Sequence, residues 1–216
     1  GIRDRLRSRG LGMCIRDRYY FSASLRTDGS SRFHKDHRWG TFWSIGGNWR
    51  ISKEAFMEDV KWIDNLSLKL SYGQQGNDNI LNSDKTSNYY LWQSLYDLDW
   101  PNSNQIGGMV SSLENQVVSW EKNGNLNVGV EATFLGSRLS VNAEYYNRKT
   151  VDMLLSYPMA TSTGFNGYNA NVGDMRNSGF EFEIRGTAIR TDDFVWNISW
   201  MGSTLSLIHI SEPTRP

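Results

Sequence analysis

Two kinds of side chain in this 216-residue sequence have types and spacing suited to ligand chemistry. The first is a pair of histidines, His34 and His37, which flank Lys35 and Asp36. Two imidazoles and a carboxylate suit zinc, but a structural zinc site uses four ligands and a catalytic site three protein ligands. Because the neighbouring residues are also basic and repel cations, we predict a solvated loop here and no metal site.

The second kind is a group of aromatic side chains in the long stretch 74–123, accompanied by Asp97 and Asp99. The group consists of Tyr89, Tyr90, Trp92, Tyr96 and Trp100. Ligand sites combine apolar surface with a few polar groups, so aromatic faces beside carboxylates suit a sugar. We predict these five as ligand-binding residues in an outer loop. In the alternative interpretation, they extend a barrel or pack against a partner protein.

No arrangement of residues predicts bond-making chemistry. The nucleophile elbow, the glycine-rich phosphate loop and the zinc-protease helix motif are absent from the sequence. Glu181 and Glu183 lie two apart on one predicted strand, whereas glycosidase carboxylates flank the sugar bond from separate elements. We therefore predict that the protein is not an enzyme and needs no cofactor.

Composition narrows the class of protein further. The 23 basic and 23 acidic residues leave no positive surplus for nucleic acid. An aromatic content of 13% excludes a disordered chain. Its single cysteine, Cys14, excludes an intrachain disulfide.

Strict alternation of apolar and polar residues dominates the interior and predicts β-strands with one apolar face. Seven segments carry this alternation, at 21–25, 39–51, 66–72, 126–134, 139–145, 180–184 and 194–200. Several extend over roughly 9–13 residues, which includes the length of a tilted strand that crosses a bilayer. Aromatic residues near their ends are typical of membrane interfaces.

The connections between these segments alternate in length. Short turns are predicted at 135–138 and 190–193, and a longer connection at 52–64 is expected to include a helical turn. The long connections are 28–38, 74–123 and 150–177. Because outer-membrane barrels have short turns on the periplasmic side and long loops outside, we expect the long connections to face outward.

The two ends differ from the interior. Residues 1–18 hold six arginines and no aromatic residue, and residues 207–216 hold two of the four prolines. We predict no alternation in either end. Both resemble translated sequencing-adapter read-through, so we expect 1–18 and 207–216 to be non-native and 19–206 to be the native domain. The alternative for the first segment is a basic arm that binds nucleic acid. A signal peptide is excluded, because no apolar stretch of 7–15 residues follows the arginines.

A series of short blocks runs through the interior in a fixed order. The blocks are LRTDGSSRF at 25–33, RWG at 38–40, WRIS at 49–52, WIDNL at 62–66, KLSYGQ at 69–74, WEK at 120–122, YYNRKT at 145–150, STGF at 162–165 and RNSGFE at 176–181. Together they resemble the SusC/RagA-type TonB-dependent outer-membrane receptors. One departure is Trp43, where the family usually has proline after Phe42.

The resemblance implies an all-β fold, an antiparallel transmembrane β-barrel of 22 strands closed by an N-terminal plug. This chain would supply about seven of those strands, as an open curved sheet in contact with outer-membrane lipid. The resemblance also implies a SusD-like lipoprotein partner, energy from TonB through an N-terminal region outside this sequence, and import of a glycan or peptide across the bacterial outer membrane.

Two other interpretations of the alternation stay open at this point. One is a soluble β-sandwich carbohydrate-binding module, and the other is an outer-membrane hydrolase, for which no catalytic set is found. The β-sandwich and the barrel are distinguished by the positions of four apolar residues, Leu68, Val128, Val141 and Ile198. In a barrel fragment all four lie on the convex side of one sheet, whereas in a sandwich they meet in a closed core.

Overall fold

The structure is a computed structural model, and it describes residues 7–15, 17–79, 88–90, 92–103, 105–165 and 167–210. The strands of this part of the chain are β1 (Arg7–Ile15), β2 (Tyr19–Gly29), β3 (Trp39–Arg50), β4 (Ile63–Asn77), β5 (Leu95–Asn102), β6 (Gln105–Ser112), β7 (Glu121–Phe134), β8 (Leu139–Val151), β9 (Leu154–Pro158), β10 (Gly167–Asn171), β11 (Asp174–Arg190) and β12 (Val195–Ile210). None of the described helical segments is both long and apolar enough to cross a membrane.

One open antiparallel sheet forms the body of the molecule. It contains eight strands in the order β1-β2-β3-β4-β7-β8-β11-β12, and each strand pairs with its neighbours in antiparallel register. The hairpins β5–β6 and β9–β10 are separate two-stranded sheets within the long connections. The predicted all-β, antiparallel, open sheet is confirmed, with the seven predicted strands joined by β1.

Strand β1 comes from the N-terminal segment 1–18, which the sequence predicts to be non-native. Leu11, Met13 and Ile15 are exposed on one face of β1 and pair with residues of β2. This short alternation corrects the prediction that neither end alternates. That 1–18 and 207–216 are non-native stays a prediction. The pairing of β1 does not test it, because backbone pairing at a sheet edge depends little on side-chain identity.

The strand register places the predicted apolar rows on one face of the sheet. Leu68 lies opposite Val130, which lies opposite Ala143, and Val128 lies opposite Tyr145. Across the next two pairings, the same face continues to β12 through Ile184, Trp200 and Ile198. We call this the apolar face, and the opposite side the polar face.

The apolar face does not close into a core. Ile198 is 48% exposed, and neither Leu68, Val128 nor Val141 belongs to the buried cluster of the described residues. Hollows of the sheet lie on the polar face, including one of about 450 Å³ whose lining includes Ser, Gln, Asn and Arg side chains. A sheet curved toward its polar side places the apolar face on the convex side, so the barrel interpretation is confirmed and the β-sandwich interpretation is wrong.

The alternation reverses near the end of β12. Beyond Trp200 the apolar face carries Gly202 and Thr204, whereas Leu205 and Leu207 take the polar face and are exposed. The apolar face is therefore regular only as far as Trp200 on this strand.

Short turns close the sheet at one end, as predicted. Leu135, Gly136 and Ser137 all have positive φ values, of 55°, 64° and 65°, and the Asp64 carboxylate accepts a hydrogen bond from the Ser137 backbone N–H at 2.8 Å. The turn at 190–193 is held by a hydrogen bond from the Thr191 N–H to the Phe194 carbonyl at 2.8 Å. We call this the inner end and the opposite one, with the long connections, the outer end.

The 52–64 connection at the inner end contains the expected helical turns, as the 3-10 helices Ile51–Lys53 and Ala55–Met57. Glu54 lies between them and is 14% exposed. Its carboxylate accepts hydrogen bonds from the Trp49 indole N–H at 3.0 Å and from the Arg18 guanidinium at 3.2 Å. These contacts fasten the connection to the ends of β2 and β3.

Aromatic residues mark the height of the apolar face. Trp39 and Trp49 lie ten residues apart on β3, on the apolar face. At about 3.4 Å per residue and a tilt of about 45°, they are separated by roughly 24 Å along the membrane normal, close to the apolar band of outer-membrane barrels. Stacked ring pairs occur at the inner end, Tyr19 with Trp49 and Trp62 with Phe134.

Candidate functional site

A buried apolar cluster joins the three long connections at the outer end, on the polar face. Its members are Phe33, Phe42, Val118, Trp120 and Leu154. Phe33 and Val118 are 0% exposed, and the Trp120 ring lies 5.5 Å from the rings of both Phe33 and Phe42. We call this the rim cluster. It fixes the outer connections to one another, since residues from each contribute to one packed unit.

Hydrogen bonds reinforce the same junction. The Arg38 carbonyl accepts from the Ser30 backbone N–H at 3.1 Å and from the Trp120 indole N–H at 3.0 Å. The Asn171 amide donates to the carbonyls of Ser119 and Asp152 at 2.9 and 2.8 Å, and its oxygen accepts from the Ser119 N–H at 2.8 Å. One asparagine thus holds hairpin β9–β10 against the segment before β7.

Glu121 is a further rim residue that the sequence analysis did not single out. Its carboxylate accepts from the side-chain amides of Asn77 and Asn123 at 3.3 and 3.1 Å, and from the Leu154 backbone N–H at 3.2 Å. A carboxylate with three donors holds these neighbours in place. The only sequence signal for it was its place in the WEK block.

Two of the five predicted aromatic residues contact the 28–38 connection. The Arg32 guanidinium carbon lies 4.8 Å from the centre of the Tyr89 ring, and the Trp92 ring meets the His34 ring edge-on at 5.2 Å. Arg32 is itself held by the Asp78 carbonyl, at 3.1 Å. Tyr89 and Trp92 therefore help to hold the outer connections together.

Tyr89 remains 59% exposed despite its contact with Arg32, and the other three predicted residues are also presented to solvent. Tyr96 and Trp100 lie on β5, where they are 65% and 56% exposed, and Tyr90 is exposed before the hairpin. Within the described residues no ring contact joins any two of the five. The structure thus divides the predicted group between the 28–38 connection and the hairpin β5–β6, and a ligand role for its members stays a prediction.

The two histidines of the 28–38 connection do not converge on a shared centre. His34 Nδ1 lies 3.2 Å from the Asp36 carboxylate, and the His37 backbone N–H donates to the His34 carbonyl at 2.9 Å. In the described part of the chain, no group of three His, Cys, Asp or Glu residues is placed to hold a metal ion.

The polar face below the rim carries paired charges and amides. Lys69 forms an ion pair with Glu131 across β4 and β7, and Arg148 donates to the Asn125 amide oxygen at 2.8 Å. A hollow of about 580 Å³ is lined by Asn142, Glu144, Glu181, Phe182, Glu183, Met201, Gly202 and Ser203. This arrangement provides hydrogen-bonding groups along a curved wall.

Comparison with known proteins places the chain in a family. A family model described as TonB dependent receptor-like, beta-barrel, matches residues 6–214. The TonB-dependent receptor SusC of Bacteroides thetaiotaomicron is 35% identical over 196 residues, which is 88% of this chain and 19% of that protein. The TonB-dependent receptor P26 of Formosa agariphila is 33% identical over 90% of this chain and 19% of its own length.

Solved structures agree with the sequence relatives. The RagAB peptide importer in the closed-closed state superposes with a TM-score of 0.87 at 29% identity, over 96% of this chain and 22% of that one. The open-open state gives a TM-score of 0.82 at 30% identity, over 95% and 22%. The chain spans about a fifth of the length of the curated relatives that it matches. Its sheet order, its two faces and these matches together show that the chain belongs to the TonB-dependent receptor-like β-barrel family.

Proposed function

We propose that the protein to which this chain contributes imports a nutrient, either a glycan or a peptide, across the bacterial outer membrane. The observation that carries the proposal is the division of the sheet into an apolar convex face and a polar concave face. In a barrel wall, such a division exposes apolar side chains to lipid and polar side chains to the lumen. The barrels of this family are outer-membrane proteins.

The proposed partners are a SusD-like lipoprotein and TonB. The relatives that support this are a receptor named SusC, receptors named TonB-dependent, and the RagAB peptide importer. TonB would act through the N-terminal part of the receptor, outside this sequence. The described chain would then contribute part of the barrel wall and part of the outer rim. The family is one of receptors and transporters.

In this proposal, three of the five aromatic residues contact the ligand and two position the outer connections. Tyr90, Tyr96 and Trp100 offer exposed ring faces to a sugar ring or an apolar peptide side chain. Tyr89 and Trp92 are already engaged by Arg32 and His34, so they position the outer connections. The rim cluster keeps the outer connections in one arrangement before the ligand arrives, which lowers the entropic cost of binding.

The test begins with the full-length receptor co-expressed with a SusD-like lipoprotein. Uptake of labelled oligosaccharides and of labelled peptides is compared between cells with and without the receptor. Uptake of one class that depends on the receptor supports the proposal. If neither class enters in a receptor-dependent way although the receptor is present in the outer membrane, the import proposal is wrong.

The aromatic residues are tested in the purified receptor–lipoprotein complex by calorimetry with the substrate class that the uptake assay identifies. The double variant Tyr96→Ala/Trp100→Ala is expected to weaken binding by about tenfold, since aromatic contacts contribute about 0.5–1.5 kcal/mol each beyond their buried area. Phe56→Ala is the matched control, because Phe56 is 67% exposed in the connection at the inner end. If the unaltered receptor, the double variant and Phe56→Ala bind with equal affinity, the hairpin β5–β6 is not part of the binding site.

A further inference from the structure

Three basic side chains lie together on the apolar face at the outer end of the sheet. They are Lys122 on β7, Lys149 on β8 and Arg176 on β11. Lys149 and Arg176 are directly opposite each other in the register, and Lys122 is two residues from Gly124, the partner of Lys149. We call these three residues the outer basic patch.

The height of the patch is that of lipid headgroups. Lys149 lies ten residues from Leu139, the first residue of β8 at the inner end. At about 3.4 Å per residue and a tilt of about 45°, the two are separated by roughly 24 Å along the membrane normal, which is the full height of the apolar band. The patch therefore begins where the apolar band ends, on the side of the wall that faces lipid.

The side chains of the patch are accessible to solvent. The side chains of Lys122 and Lys149 are 47% and 55% exposed. Arg176 is also exposed, and its Nε donates to the Asn147 amide oxygen at 3.0 Å, which leaves both terminal nitrogens for another acceptor. Asn147 and Ser178, directly opposite each other on the same face, add polar groups beside the cations.

The charges within the patch are incompletely compensated. Asp152 lies 3.7 Å from the Lys122 amine and Asp174 lies 3.2 Å from the Lys149 amine. Over the described residues, no carboxylate lies within ion-pair distance of Arg176. Like charges directly opposite on a sheet are destabilising, and exposed ion pairs contribute little, so an additional anion would stabilise this part of the wall.

We propose that the outer basic patch binds the phosphate of a phosphorylated glycolipid in the outer leaflet of the membrane. Arginine forms paired hydrogen bonds with phosphate, and lysine supplies charge to it. Asn147 and Ser178 suit the sugar hydroxyls that accompany that phosphate. The proposal goes beyond nutrient import, and it depends on the orientation of the apolar face toward lipid.

The test uses the full-length receptor purified in detergent and titrated with three lipids, with the bound lipid counted by native mass spectrometry. The lipids are lipid A that carries phosphate, the same lipid A after removal of phosphate, and phosphatidylglycerol. Each cation near a charged headgroup contributes about a fivefold change in affinity, so K122Q/K149Q/R176Q should bind phosphorylated lipid A on the order of a hundredfold more weakly. The single variant Arg176→Gln, expected to lose about fivefold, serves if the triple variant fails to fold.

Arg148→Gln is the matched control, because it removes a cation at the same height from the polar face. Full affinity in this control, together with weak binding of phosphate-free lipid A and of phosphatidylglycerol, supports the proposal. Equal binding by the patch variants and the unaltered receptor would overturn it, as would equal binding of phosphatidylglycerol. Uptake is measured separately. If the unaltered receptor binds phosphorylated lipid A but gives no receptor-dependent uptake, the result counts against the proposed function alone.

Discussion

Replacement of Phe33 by alanine should loosen the outer rim without unfolding the sheet. Phe33 is 0% exposed and packs on Trp120, in a cluster whose members come from separate connections. Truncation of a buried phenylalanine to alanine costs about 3–5 kcal/mol, part of which is the cavity that remains. Because a connection relaxes around a cavity more readily than a strand does, we expect the lower value, about 3 kcal/mol.

The assay is native-state proteolysis of the full-length receptor with trypsin. Lys35 is exposed two residues beyond Phe33, so cleavage there reports local opening of the 28–38 connection. Cleavage follows the population of the open form when opening and closing are fast, and each 1.4 kcal/mol changes that population about tenfold. Phe33→Ala should therefore accelerate cleavage after Lys35 by roughly two orders of magnitude.

Phe56→Ala provides the control, because the same side chain is removed from a position that is 67% exposed. It should change the cleavage rate after Lys35 by less than about twofold, as expected for a surface substitution distant from the rim. Similar rates for Phe33→Ala and Phe56→Ala would refute the idea that the rim cluster holds the outer connections together.

Three further predictions concern the wall, the rim and the inner end. Val128→Arg, at mid-height on the apolar face, should make the free energy of folding into lipid vesicles less favourable by about 2–4 kcal/mol. Asn127→Arg on the polar face should change this free energy far less. Equal effects of the two variants would contradict the assignment of the faces. Asn171→Ala removes three hydrogen bonds, so the free energy of opening of hairpin β9–β10, measured by hydrogen exchange, should fall by about 1–3 kcal/mol. Asn142→Ala is the control and should leave this free energy unchanged. The hydrogen bond from the Trp49 indole is the largest of the interactions that hold the pKa of Glu54 below its ordinary value of 4.5, so the attachment of the 52–64 connection should be fully stable above pH 4.5 and weaken as the pH falls through the lowered pKa. Glu54→Gln should abolish this pH dependence, measured by indole fluorescence. An acid transition that is the same in this variant would contradict the prediction.

The sheet was predictable from sequence because its signal is local and repeated. Alternation of side chains with a period of two identifies a strand and its faces without any knowledge of the partner strand. Leu68, Val128, Val141 and Ile198 accordingly lie on one face, and the short turns occur where the spacing predicted them. Strand β1 was missed because the six-residue alternation at 10–15 is short and lies among arginines.

The rim was less predictable because its contacts join residues distant in sequence. Phe33 meets Trp120, and Asn171 meets Ser119, through contacts that no periodicity encodes. The five aromatic residues are close together in sequence, yet Tyr96 and Trp100 lie on β5 whereas Tyr89 and Trp92 contact the 28–38 connection. Composition identifies the types of residue at a rim, but only the path of the chain decides which of them meet.

The meander order of the main sheet bears on how such barrels change size during evolution. Because successive strands are neighbours throughout, each hairpin contacts only the strand before it and the strand after it. Duplication or deletion of one hairpin leaves the same kind of antiparallel edge to pair with the same neighbour. Bacterial outer-membrane barrels accordingly have even numbers of strands. The circumference of the pore can thus diverge between lineages while the lining of each remaining hairpin is inherited intact.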